Sequence, residues 1–189
     1  QCIHKYPPHI PAFERRWGIG DHSSFAEIHE ALMRDGYASV YRLVPSANRS
    51  DDEVFFVVWN YERLQHAWAQ ENGLQTTDLD EIRLAQIEAF GADIIYDFSS
   101  FVSRGFAREL RRRYTGPIVC WNGFLKDDDP PVNPAYDGYV SLHRPYVDRW
   151  LAKGYPALEL QPGIDPAWAD IEMPAMSERP EDLILYGQT

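Results

Sequence analysis

The sequence predicts an α/β protein built on a Rossmann-like open parallel sheet with helices on both faces. Apolar runs of strand length alternate along the 189 residues with segments of helical periodicity. The run at residues 53–59 is apolar almost throughout, which is typical of a parallel strand buried on both faces. Capping residues and glycines delimit the segments between the runs, and the chain length suits one main domain.

The other elements follow from shorter runs and from capping residues. Besides the 53–59 run, strands are predicted at residues 1–3, 93–96, 117–121, 139–142 and 157–160. Helices are predicted at residues 24–36, 64–73, 78–91, 103–114 and 145–154. Ser24 opens a capping box, and Pro145 stands at a first helical position. The arginines at 108 and 111–113 are expected to form a solvated helix face.

The domain organisation is predicted from the point where this alternation stops. Residues 1–165 form the N-terminal Rossmann-like domain, and the proline-rich stretch 166–181 is a linker. Residues 182–189 begin with a fresh apolar strand signal, which we interpret as the first strand of a truncated second domain. The alternative is that this strand joins the first sheet at its edge.

Charge and cysteine content narrow the class of partner and the compartment. The formal net charge of −11 repels phosphate backbones and anionic lipids, so neither nucleic acid nor a membrane surface is expected as a partner. No apolar run approaches the ~18 residues of a membrane span. Cys2 and Cys120 lie far apart, each in a predicted strand, which favours buried free thiols and a cytoplasmic location over a disulfide framework.

No single motif specifies a chemistry. Glycine loops for dinucleotides or phosphates, zinc-ligand spacings and nucleophile elbows are absent from the sequence. The aspartates at 127–129 are expected to form a solvated loop, because consecutive residues rarely converge on one ion. The sequence therefore predicts neither a metal site nor a cofactor.

Polar and aromatic residues follow the predicted strands at their carboxyl ends, where open parallel sheets bind ligands. These residues are His4, Lys5, Asn60, Asp97, Ser99, Trp121, Asn122, His143 and Arg144. Each can also be a turn or capping residue. Together they suit a sugar, whose hydroxyls need hydrogen-bond partners and whose ring needs an aromatic platform. Asp97 is the first candidate for a catalytic base and His143 the second, while the others are candidate substrate-binding residues.

Several segments resemble, in order, a group of bacterial glycosyltransferases of the GT-B fold that includes the spore-maturation proteins. LQHAWAQENG at residues 64–73 is similar to the group's LQxAWAxExG segment, and residues 82–96 resemble its helix-to-strand passage. Tyr136-Asp137 with the following strand resembles a third segment, and residues 161–166 resemble its crossing to the second domain. The resemblance spans about residues 4–187 and rests on the collinear series of segments.

The resemblance implies a two-lobed enzyme that transfers a sugar from a nucleotide-sugar donor to a glycan or another hydroxyl acceptor. It implies that this chain is the acceptor-side lobe and that the donor binds mainly to a missing C-terminal lobe. The chain alone should then bind UDP or GDP weakly and transfer no sugar. The alternatives are a non-catalytic sugar- or ligand-binding lobe and a flavodoxin-like regulator, for which only Asp97 is well placed as a phosphoacceptor.

Overall fold

The computed structural model describes residues 9–36, 52–56, 58–98, 104–123 and 133–161. In chain order the elements are α1 (His9–Trp17), α2 (Phe25–Asp35), α3 (Glu62–Glu71), α4 (Leu79–Phe90), β1 (Ile95–Asp97), α5 (Arg104–Arg113), β2 (Ile118–Trp121), β3 (Gly138–Ser141), α6 (Arg144–Ala152) and β4 (Ala157–Glu159). The predicted strands at 1–3 and 182–187, Cys2, the aspartates at 127–129 and the linker 166–181 lie outside the described residues.

The four strands form one parallel sheet. Their order is β1-β2-β3-β4, and each neighbouring pair is parallel. Consecutive parallel strands need crossover connections, and right-handed crossovers in one direction place the connecting helices on the same face. The predicted parallel sheet is confirmed, and the mixed α/β architecture is compatible with a Rossmann-like fold.

One face of the sheet carries α4, α5 and α6. The register aligns Ile95 with Ile118 and Asp97 with Cys120, and because side chains alternate, these four residues share a face. Leucine, isoleucine and phenylalanine side chains of α4 and α5 cover its first two strands, and the aromatic residues of α6 cover the third. Cys120 is a buried free thiol, as predicted. Helices on the other face stay a prediction.

Local capping signals explain the ends of two helices. The Ser24 hydroxyl accepts from the Glu27 amide while the Glu27 carboxylate accepts from the Ser24 amide, which confirms the capping box of α2. Asp78 caps α4 by accepting from two backbone amides, and Gly91 ends that helix in the left-handed conformation. The sequence analysis did not predict α1, whose Pro11 stands in the first turn, where proline is tolerated.

The strand predicted at residues 53–59 is wrong for the residues that the structure describes there. Residues 52–56 and 58–60 carry no strand, although Phe56 and Val58 are buried. Both pack among α1, α2 and α3 in the N-terminal cluster, which consists of Phe13, Ile28, Ala31, Leu32, Phe56, Val58, Tyr61 and Leu64. The Phe56 carbonyl accepts from His29 at 2.6 Å and the Val58 carbonyl from Gln65 at 2.9 Å. Side chains of neighbouring helices thus satisfy two carbonyl groups of this segment.

Arg111 departs from the predicted solvated face of α5. Its guanidinium donates to the carbonyls of Gly116 at 2.9 Å and Ala135 at 2.8 Å, and it pairs with the Asp137 carboxylate. The Ile118 amide donates to that carboxylate at 2.8 Å, and this bond, aided by Arg111, lowers the pKa of Asp137. The contacts of Arg111 and Asp137 thus join α5 to the segments that lead into β2 and β3.

Candidate functional site

Trp121 and His143 both approach Gly123 at the carboxyl ends of β2 and β3. Nε2 of His143 lies 3.0 Å from the carbonyl oxygen of Gly123, two residues after Trp121. The indole of Trp121 lies against Gly123, where a Cβ atom would collide with the ring. Only glycine therefore lets the indole and the imidazole approach the same backbone segment. We call Trp121, Gly123 and His143 the β2–β3 corner.

The hydrogen bond to Gly123 determines which nitrogen of His143 can act as a base. A carbonyl oxygen only accepts, so Nε2 carries the hydrogen and Nδ1 of the neutral ring holds the lone pair. The His143 amide donates to the Ser141 hydroxyl at 3.0 Å, and the ring lies edge-on to Tyr146 at 6.2 Å. These contacts hold the imidazole in one orientation.

Asp97 is in a different environment from His143. It ends β1 on the helix-covered face, is only 3% exposed, and accepts a 2.6 Å hydrogen bond from the Tyr136 hydroxyl. Two strand spacings of ~4.8 Å separate β1 from β3, so Asp97 lies about 10 Å across the sheet from the strand that leads to His143. The structure thus does not pair the two candidate bases in one cluster.

The remaining predicted site residues are scattered. Asn122 is 5% exposed, and its backbone N–H donates to the Val140 carbonyl at 2.8 Å, which continues the hydrogen bonding between β2 and β3 by one residue. Arg144 opens α6, and its guanidinium pairs with Asp148 at 2.8 Å on the exposed side. Asn60 is half-buried in the turn before α3. His4, Lys5 and Ser99 lie outside the described residues.

Two residues of the site were missed by the sequence analysis. Gly123 carries the backbone carbonyl that orients His143, and the available signal was a glycine two residues after a predicted strand. Tyr136 supplies the partner of Asp97 from 39 positions further along the chain. No local pattern connects a tyrosine and an aspartate at that separation.

Tyrosines near the sheet are held neutral. Burial raises the pKa of Tyr96 to about 12, and burial also raises the pKa of Tyr139. Neither phenol is therefore suited to proton transfer at neutral pH. Among the described residues no three metal-ligating side chains come together.

A second concave surface lies between α1 and α3. It encloses about 430 Å³ and is lined mainly by polar side chains. Arg63 pairs there with Glu14 at 3.0 Å and with Asp21 at 2.6 Å, and the Tyr61 hydroxyl donates to Glu14 at 2.9 Å. Its charged groups therefore already have partners within the protein.

Comparisons with protein families, with curated proteins and with solved structures gave no match to this chain. None of the helices in the described ranges has both the length and the apolar character needed to cross a membrane. The class that the fold defines is a mixed α/β protein with a four-stranded parallel sheet and, in the described residues, six helices.

Proposed function

We propose that this chain is the acceptor-side lobe of a glycosyltransferase that moves a sugar from a nucleotide-sugar donor to a hydroxyl acceptor. The observation that carries the proposal is the β2–β3 corner, because ligands of open parallel sheets bind beyond the carboxyl ends of the strands. The corner offers the half-buried indole of Trp121 and the oriented imidazole of His143. The collinear resemblance described above supports the same class of reaction.

In the proposed reaction His143 acts as the general base. The acceptor hydroxyl attacks the anomeric carbon while the bond from that carbon to the donor's phosphate oxygen breaks. The hydroxyl proton passes to Nδ1 of His143, and the nucleotide leaves with the bonding electron pair. Such a base typically contributes ~10²–10⁴-fold to the rate. The Gly123 carbonyl continues to accept from Nε2–H in the imidazolium that forms.

Trp121 and Asp97 have supporting roles in this proposal. The indole of Trp121 packs against Phe98, with ring centroids 5.5 Å apart, and its free area suits the apolar face of a sugar ring. Asp97 is a positioning residue, because its buried carboxylate is bound by Tyr136 and faces the helix-covered side of the sheet.

The test is sugar transfer by the longest protein that the gene encodes, carrying His143→Gln. We expect turnover to fall by about 10²-fold or more. His66→Gln is the matched control, because His66 lies on α3 and its only described polar contact is a 3.4 Å approach to the Thr77 carbonyl. That variant should keep normal turnover.

Two outcomes would overturn the proposal in different ways. Normal turnover of a well-folded His143→Gln variant would remove His143 as the base. If the encoded protein binds sugars at Trp121 but transfers none, the chain belongs to the alternative class, a non-catalytic sugar-binding lobe. Trp121→Phe with retained folding and lost sugar binding would locate that binding at the corner.

A further inference from the structure

Arg83 is a buried cation that forms no ion pair with the described residues. It lies on α4 with 3% of its surface exposed, and its buried Nε atom makes no hydrogen bond. Its guanidinium carbon lies 3.8 Å from the ring centre of Phe106 and 5.2 Å from that of Trp59. The guanidinium is therefore in contact with two aromatic side chains, while its buried Nε atom has no acceptor.

Other buried polar atoms nearby also have no partner. The indole Nε1 of Trp59 and both amide atoms of Gln86 make no hydrogen bond. Gln86 is one turn after Arg83 on α4, so the two side chains leave the helix on the same side. Most buried polar groups in folded proteins are hydrogen-bonded, so several unpaired groups together indicate that a bound species belongs there.

Charge favours an anion as that species. Aromatic contacts recover only part of the cost of removing a guanidinium from water, and the remainder calls for a negative partner. Asp80, one turn before Arg83, is close enough to interact with it but forms no ion pair. Burial raises the pKa of Asp80 and the attraction of Arg83 lowers it, so this carboxylate acts on the guanidinium only from beyond ion-pair distance.

The first turn of α5 adds a second positive feature at the same place. Phe106, which Arg83 contacts, lies in that turn, and α5 is ten residues long. The N-terminal turn of a helix presents backbone amides without intrahelical partners and the positive end of the helix dipole. Gly105 in this turn is exposed, so a ligand can reach the backbone from solvent.

We propose that Arg83, the indole N–H of Trp59 and the first turn of α5 bind a phosphate group. A guanidinium matches the geometry of phosphate through its planar set of donors, and an indole N–H supplies a further donor. The site includes no residue of the β2–β3 corner. It does not rest on the proposed function, because a phosphate on any small molecule would meet its chemistry.

The test is a titration of the 189-residue chain with inorganic phosphate at constant ionic strength, followed by the indole signals in ¹H–¹⁵N spectra. Trp59→Phe identifies the Trp59 signal by its loss. We expect that signal to shift saturably with phosphate, and we expect the melting temperature to rise by about 3 °C or more at tenfold saturation. Pyrophosphate and acetate form parallel titrations.

Substitutions test the role of the cation. Arg83→Met keeps an unbranched apolar side chain in place of the arginine stem and removes the guanidinium, so the phosphate response should disappear while folding is retained. Arg63→Met is the matched control, because Arg63 is already paired with Glu14 and Asp21, and this variant should keep the response. Asp80→Asn removes a nearby negative charge and should tighten phosphate binding by a few fold.

The proposal is overturned if phosphate and pyrophosphate leave the Trp59 signal unchanged. It is also overturned if acetate shifts the signal and phosphate does not, since the site would then bind carboxylates. An equal response in folded Arg83→Met would remove Arg83 from the site. If Arg83→Met fails to fold, the wild-type titration and the Asp80→Asn variant still show whether phosphate binds at this site, because neither experiment needs that substitution.

Discussion

The N-terminal cluster and the parallel sheet satisfy the backbone of their apolar runs in different ways. In the sheet, β2 is paired on both sides by β1 and β3, so its carbonyls and amides bond to other backbone groups. In the N-terminal cluster, the carbonyls of Phe56 and Val58 bond to the side chains of His29 and Gln65. An apolar run therefore became a strand in one region and a helix-packed segment in the other.

Substitutions should therefore destabilise the two regions by different mechanisms. A side-chain change does not remove a backbone hydrogen bond of the sheet. The stability of this region should therefore depend mainly on the volume of the side chains in its core. In the N-terminal cluster a side-chain change deletes a backbone hydrogen bond directly. The stability of that region should therefore depend on single polar side chains and on their protonation.

The largest effect is expected for Trp150→Ala. Trp150 is completely buried, stacks on Tyr139 at 4.7 Å, and fixes α6 to the sheet. Its removal should lower the free energy of unfolding by about 3–5 kcal/mol, measured by urea denaturation. Leu151→Ala is the control, since the neighbouring leucine is 48% exposed and its truncation should cost less than ~0.5 kcal/mol. Equal losses in both variants would contradict the placement of α6.

A smaller loss is expected for Gln65→Met. This substitution keeps the side-chain volume but removes the donor of the 2.9 Å bond to the buried Val58 carbonyl. An unsatisfied buried carbonyl costs about 1–3 kcal/mol, measured as a shift in the urea midpoint at unchanged slope. Gln70→Met, at an exposed position of the same helix, should be nearly neutral. If Gln65→Met is also neutral, side-chain bonds do not hold the 52–58 segment in place.

The smallest and most specific effect concerns pH. Burial lowers the pKa of His29 below its ordinary value of 6.5, and its Nε2–H donates to the Phe56 carbonyl. Below about pH 6.5 the unfolded chain binds a proton that the folded protein excludes, so the free energy of unfolding should fall as the pH drops. One proton limits the slope to about 1.4 kcal/mol per pH unit.

Urea midpoints measured at several pH values check this dependence. His29→Gln keeps a donor for the Phe56 carbonyl but cannot be protonated, so its stability should vary less between about pH 5.5 and about pH 7.5. A slope that is unchanged in His29→Gln would mean that other groups cause the pH dependence, and that His29 is accessible to protons in the folded state.

The sequence by itself determined the features that depend on neighbours within a few residues. The capping box at Ser24, the Asp78 cap and the glycine stop at Gly91 are local hydrogen-bond and backbone preferences, and the structure has all three. The alternation of short apolar runs with helices likewise predicted β1 to β4. Trp121 ends its strand and His143 follows its strand, so both lie at the carboxyl ends that the sequence indicated.

The tertiary structure alone decided which distant group forms a hydrogen bond with each of these buried polar groups. The run at 53–59 showed that its side chains are buried, but burial by helices and burial in a sheet give the same apolar pattern. The partner of Asp97 lies 39 positions away, and that of the Phe56 carbonyl 27 positions away. Such contacts form only when helices and strands pack against each other. This packing places a backbone carbonyl against His143 and turns Asp97 into the core.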